Sequence, residues 1–152
     1  MNLILDTNIL IALVRSKNIN DLHAFINPDQ KKLYISIVTE AEIRSFSIRN
    51  QWGVGRMDIL ESFLDEVGII DINQSLINVY VEIYSFSQRS NAAFTNYNFS
   101  SPRNMGKNDL WIASSAAFLG LKLITTDTDF DHLDGIFFEV KRINPAEFVT
   151  FF

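Results

Sequence analysis

Short apolar runs that stop at polar or turn-forming residues alternate along this chain with longer segments whose apolar residues recur at helical spacing. Leu3 to Leu5 is apolar and ends at Asp6, and apolar residues resume from Ile9 to Val14, which predicts strand, turn and helix. Ile19 to Ile26 places Leu22, Phe25 and Ile26 on one helical face and stops at Asn27-Pro28-Asp29, a turn signal. Leu33 to Ser36 reads as a second strand, Thr39 to about Asn50 as a helix, and Met57 to Glu66 as another after Gly53 and Gly55. Gly68 to Ile72 predicts a third strand, followed by a helix from Gln74 to about Gln88 with Leu76, Ile77, Tyr80, Ile83 and Tyr84 as its buried stripe.

The stretch from Ser90 to Gly106 is rich in Asn and Ser and reads as a long loop. Asn108 then starts a helix that ends near Gly120, a residue suited to a helix C-terminus. Lys122 to Thr126 is a fourth strand, Asp129 to Leu133 a helical turn, and Phe137 to Ile143 a last strand before Pro145. Strands alternating with helices imply an α/β sandwich with a mainly parallel sheet. With 152 residues, no internal repeat and no linker, residues 1–152 are expected to form one domain.

Composition narrows the chemistry. A hydrophobic share of 47% with 20% charged residues excludes general disorder. The absence of cysteine excludes disulfides, thiolate nucleophiles and cysteine-ligated metal, and His23 and His132 are too few for an imidazole-rich site. A metal would therefore be held by oxygen, which favours Mg2+ or Mn2+. No signal-peptide pattern and no apolar run of about 18 residues is present, so a cytoplasmic protein without membrane contact is the expectation. The net charge of −5 runs against a polyanionic partner, but setting five clustered acids aside from the 18 leaves 13 against 13 Lys plus Arg.

Those five acids are Asp6, Glu42, Asp109, Asp127 and Asp129. In open α/β sheets functional groups gather beyond the carboxyl ends of the strands. Asp6 closes the first strand and Asp127 and Asp129 the fourth, while Glu42 and Asp109 lie on helices that follow or return to the sheet. Each alone has a structural explanation. Asp6, Thr7 or Asn8 can cap a helix, Thr39-Glu40-Ala41-Glu42 matches a capping box, Asp109 suits a helix dipole, and Asp127-Thr128-Asp129 can be a solvated turn. Their joint convergence on one edge is what points to a site.

Four segments, in order, carry a family resemblance. Leu3-Ile4-Leu5-Asp6-Thr7-Asn8-Ile9-Leu10 resembles the opening of a PIN domain, and Ile35-Ser36-Ile37-Val38-Thr39-Glu40-Ala41-Glu42-Ile43 is similar to its second segment. Asn108-Asp109-Leu110-Trp111-Ile112-Ala113 and Leu123-Ile124-Thr125-Thr126-Asp127-Thr128-Asp129-Phe130 resemble the third and fourth, and Ile143-Asn144-Pro145-Ala146-Glu147-Phe148 the closing stretch. The small size resembles the VapC-type toxins of toxin–antitoxin pairs.

That resemblance implies a PIN-like three-layer sandwich and a metal-dependent endoribonuclease using one or two Mg2+ or Mn2+ ions. It also implies RNA as substrate, a cognate antitoxin as partner and a homodimer. Asp6 and Asp109 are expected to hold the principal ion, Glu42 to orient a water, and Asp127 with Asp129 to complete a second site. Thr7, Asn8 and Thr126 are candidates for orienting carboxylates by hydrogen bonds.

For RNA, Arg44, Arg49, Arg56, Arg103 and Lys107 are candidate rim cations. Phe94, Tyr97 and Phe99 are candidates for base stacking, although packing or a dimer contact is their commoner role. His23 and His132 are expected at the surface, and Trp111 and Phe118 in the core. Alternatives are an RNA-processing PIN nuclease, a silent RNA- or partner-binding PIN-like module, a DNA-directed nuclease of related architecture, and a phosphotransfer enzyme with an aspartate after its first strand. The last needs a second acid at position 8 in one version, where this chain has Asn8, or an acid paired to the first strand in another.

Overall fold

A computed structural model describes residues 1–152. Its strands are β1 (Leu3–Leu5), β2 (Leu33–Ser36), β3 (Gly68–Ile70), β4 (Lys122–Thr125) and β5 (Val140–Arg142). The α-helices are α1 (Thr7–Arg15), α2 (Ile19–Ile26), α3 (Ile37–Arg49), α4 (Val54–Glu66), α5 (Ile77–Ser87) and α6 (Lys107–Leu119). Tighter 3-10 turns occupy Gln74–Leu76, Thr128–Leu133 and Pro145–Phe151.

The five strands lie in the order β3-β2-β1-β4-β5 and all pair parallel. The chain leaves β1 for β2 on one side and later returns through β4 on the other, so the crevice beyond the carboxyl ends of β1 and β4 is the topological switch point. Parallel strands buried on both faces are apolar throughout, and here successive side chains serve opposite cores. Leu3, Leu5, Leu33, Ile35 and Ile124 pack with α1, α2 and α4 on one face. Ile4 and Leu123 pack with α5 and α6 on the other. The result is the expected three-layer sandwich.

Several boundaries differ from the sequence expectation. α3 starts at Ile37 with Ser36 as its cap, accepting from Val38 N at 3.2 Å, so Thr39 caps nothing and the Thr39–Glu42 capping box does not form. α6 starts at Lys107 after Gly106, one residue before the expected Asn108. The strands β3, β4 and β5 are shorter than predicted because pairing, not β propensity, sets their length. Gly120 does end α6 in the left-handed region, at φ 65°.

Of the expected stripe, Leu76, in the 3-10 turn before α5, and Ile83 on α5 are buried, with Phe86 and Ser87 beside them, while Ile77 and Tyr84 are exposed. The register of α5 against α6, which brings Tyr80 onto Trp111 at 4.4 Å, turns those two outward. Phe118 is likewise exposed, one turn beyond the end of the shared face.

Gly68 at the start of β3 pairs with Tyr34 of β2, and a Cβ there would lie 2.4 Å from the Tyr34 ring. Gly68→Ala is expected to force the ring out of its rotamer and cost about 1–2 kcal/mol. A urea unfolding midpoint equal to wild type would show that the ring swings aside freely.

A candidate metal centre at the strand ends

Asp6 is the residue at which β1 becomes α1. Its backbone N–H extends the sheet ladder to the Ile124 carbonyl at 3.0 Å, and its side chain caps α1. Oδ1 accepts from Thr7 N at 2.8 Å and Oδ2 accepts from the Thr125 hydroxyl at 2.7 Å. Thr125 in turn accepts from Asp127 N at 3.0 Å, and Asp127 Oδ1 accepts from Asp129 N at 2.9 Å. One hydroxyl at the end of β4 thus ties the β1 carboxylate to the turn that carries the next two acids. Thr126, the residue chosen from sequence for this role, makes no side-chain hydrogen bond; Thr125 does so because it is the last paired residue of β4 and is fully buried beside β1.

Glu42 is fixed from the opposite side. The Thr7 hydroxyl donates to Glu42 Oε1 at 2.8 Å and lies 3.1 Å from the Thr39 hydroxyl. A single hydroxyl proton serves one acceptor, so with the carboxylate taking it, Thr39 donates to Thr7. Thr39 is fully buried, and its role was not legible from the sequence because it fitted a capping pattern. Asn8 is exposed and lines the cleft without a side-chain partner.

These groups share one cleft of about 320 Å³, lined by Asp6, Thr7, Asn8, Glu42, Asp109 and Asp127, with Phe46 and Arg49 at its edge. Carboxylate oxygens of Asp109, Asp127 and Asp129 lie within 4.8 Å of one another. The tightest grouping is therefore Asp109 with the β4 pair, rather than Asp6 with Asp109 and the β4 pair apart.

The electrostatic consequence is strong. Asp109 is raised from 3.8 to about 7, first by burial and then by the charges of Asp6, Asp127, Asp129 and Glu42. Asp6 is also raised, chiefly by burial and further by Asp127 and Glu42, against the lowering effect of its Thr125 and Thr7 hydrogen bonds. A half-buried set of oxygen donors that repel one another is the donor chemistry a hard divalent cation requires, so the residues present fit such an ion.

The expected RNA-facing residues fare differently. Arg44 is held by Glu40 at 2.8 Å and Glu61 at 2.6 Å, which removes Arg44 as a free cation. Arg103 donates to the Thr128 carbonyl at 3.1 Å, between Asp127 and Asp129, and Lys107 is exposed at the first turn of α6. Arg56 stacks over Trp52 at 5.6 Å. Phe94, Tyr97 and Phe99 all pack on Phe86, at 4.6, 5.2 and 5.4 Å, so these half-buried rings pin the 90–106 loop to the core.

His132 is not a surface residue but 3% exposed, between Phe86 and Phe99, with Nε2 2.7 Å from the Ser87 hydroxyl. Burial, with the Arg103 charge, lowers it from 6.5 to about 4. The unfolded chain then binds the extra proton between these values, so this contribution to stability is whole above pH 6.5 and is lost as pH falls toward 4. Between pH 7 and pH 5 wild type is expected to lose about 2 kcal/mol that His132→Gln does not. Equal pH dependence of the two urea midpoints would contradict this.

A PIN-domain family model matches residues 3–136. The chain belongs to the PIN-domain family. PIN domains are nucleases, and the cleft lies where this PIN domain brings its β1, α3, β4 and α6 acids together. No curated protein sequence matches the chain. Among solved structures, a VapBC2 complex from Rickettsia felis bound to a promoter DNA fragment is similar at TM-score 0.71 and 19% identity, covering 93% of this chain and 98% of that one. DNA-bound VapBC from Salmonella typhimurium is similar at TM-score 0.66 and 17% identity, covering 93% and 98%. The toxin–antitoxin system VapBC-5 from Mycobacterium tuberculosis is similar at 0.62 and 24%, also covering 93% and 98%. At these identities the likeness is one of fold. No helix is long and apolar enough to cross a membrane.

Proposed function

We propose that this PIN domain is a divalent-metal-dependent endoribonuclease that acts as the toxin of a toxin–antitoxin pair, restrained by a cognate antitoxin and working as a homodimer in the cytoplasm. The observation that carries the nuclease reading is the meeting of Asp6, Glu42, Asp109 and Asp127 in one cleft, with Asp129 beside Asp109 and Asp127. The fold similarity to VapBC complexes along nearly the whole of both chains supports the toxin role. The whole of residues 1–152 is taken as one PIN unit.

Asp109, Asp127 and Asp129 would hold the ion, Mg2+ or Mn2+, and Asp6 and Glu42, which line the same cleft, are the further acids that could serve it or a second ion. When bound, the ion lowers the pKa of water and neutralises charge on the phosphoryl and leaving oxygens. The protein's own part is to hold the acids still. Thr125 and the α1 N-terminus each hold one oxygen of Asp6, which fixes the carboxylate plane and leaves each oxygen a further lone pair. Thr7 fixes Glu42 by one oxygen only, which leaves the other free to accept a proton from a water poised for in-line attack. Arg103 stiffens the turn bearing Asp127 and Asp129 through the Thr128 carbonyl.

The direct test is cleavage of end-labelled single-stranded RNA and of the matching DNA, each with Mg2+, with Mn2+ and with excess EDTA. RNA cleavage abolished by EDTA and restored by either metal is the expected result; cleavage indifferent to EDTA would refute the metal dependence. Preference for the DNA strand would refute the RNA assignment. Growth arrest on expression, relieved by Asp6→Asn, tests the toxin role separately.

A further inference from the structure

The acid cleft does not end at its acids. Asn8 and Ile11 of α1 line both that cleft and a neighbouring groove of about 520 Å³, whose other walls are Ala12, Arg15, the 3-10 turn residues Phe148 and Val149, and Phe152 just after that turn. The two clefts therefore adjoin over one stripe of α1, formed by exposed Asn8, half-buried Ile11 and exposed Arg15, and together make a channel leading away from Asp6. Its length from Asn8 to Arg15 is about 10 Å along the helix axis.

An arginine stands near each end. Arg49, in the last turn of α3, lines the acid cleft and lies 6.0 Å from the Phe46 ring. Arg15, in the last turn of α1, lines the far groove. Both are exposed, and neither is taken by an ion pair; the arginines that are paired are Arg44 and Arg142. The apolar wall between them is open to solvent, with Val149 70% and Phe152 43% exposed. Free cations along a groove with an apolar and aromatic wall are the arrangement that tracks a single strand, cations to phosphates and rings to bases.

Resting on the nuclease reading above, we propose that single-stranded RNA runs over α1, with Arg49 gripping a phosphate next to the cleavage point and Arg15 a phosphate further along the strand. Arg49 and Arg15 are binding and positioning residues, and the 90–106 loop lies outside the track. Charge complementarity favours a nucleic acid over a protein segment in this channel: the side chains free to act are cationic, while the acids are confined to one end.

The test uses the full chain with Mg2+ and a short fluorescein-labelled single-stranded oligouridylate. Arg49→Gln and Arg15→Gln are each expected to raise KM roughly five- to tenfold with kcat changed much less. In anisotropy binding on an Asp6→Asn background, each should lower the slope of log affinity against log salt by about 0.7. Arg49→Lys and Arg15→Lys should keep most of that slope, and Lys31→Gln, at the opposite ends of the strands, should match wild type.

Cleaving wild type with both glutamine variants indistinguishable from Lys31→Gln overturns the track, leaves the nuclease reading intact and returns the channel to a protein segment. A fall in kcat with KM and salt slope unmoved also overturns it. A wild type that neither binds nor cleaves RNA overturns both together.

Discussion

Asp6→Asn should lower RNA cleavage by about a thousandfold or more while leaving the fold intact. The substitution keeps the shape of the side chain and its ability to cap α1, because the amide oxygen still accepts from Thr7 N. What it removes is the charge that faces the ion and the acceptor for Thr125, whose hydroxyl also orders the Asp127 turn. A split between the two losses is measurable. Thr125→Val keeps every carboxylate but frees Asp6 Oδ2 and the Asp127 N–H, so it should lose activity by about ten- to a hundredfold and need more Mg2+ for half-maximal rate. If Thr125→Val matched wild type in both, the tie between β1 and the β4 turn would be structural only. If Asp6→Asn cleaved normally, the cleft would not be where RNA is cut.

The reach of the sequence differs from element to element for physical reasons. Asp6 and Asp127 were legible because they follow apolar strands whose ends are marked locally, and a parallel sheet carries such ends to one edge whatever the details of packing. Glu42 was legible as a candidate acid, but the contacts that hold it were not. The pattern from Thr39 to Glu42 satisfies a capping box, and only the actual cap at Ser36 frees both residues to reach Thr7.

Thr125 and Thr126 are chemically identical neighbours, and nothing short of strand register distinguishes the one that points at Asp6. Arg44 illustrates the opposite error. As a lone cation it looked available, but its partner Glu61 is on another helix, seventeen residues away. The aromatic residues of the 90–106 loop and His132 share that difficulty. Their environment is each other, assembled around Phe86, and polar neighbours in sequence disguise a buried cluster.

The metal-free protein should be stabilised by losing one of its acids. Asp109, half-buried, is raised from 3.8 to about 7 by burial and four neighbouring carboxylates. An acid whose folded pKa is raised binds its proton more tightly in the folded state. Its favourable contribution is whole below about pH 4 and is lost as pH rises through 7. The full shift corresponds to about 4 kcal/mol, and partial solvent screening reduces it to about 2. Asp109→Asn without divalent ions at pH 7.5 is therefore expected to unfold at a higher urea concentration than wild type, by about 2 kcal/mol, with the gap closing toward pH 4.

Mg2+ should reverse the order. At a hundred times its dissociation constant an ion that binds only the folded chain adds about 2.7 kcal/mol, and this gain belongs to wild type because Asp109→Asn removes the charge of one of the three carboxylates whose oxygens lie within 4.8 Å. The crossing of the two stabilities on adding Mg2+ is the signature of repulsion relieved by a cation. A mutant less stable than wild type in EDTA would mean that Asp109 serves packing, and a mutant stabilised by Mg2+ as much as wild type would move the ion elsewhere.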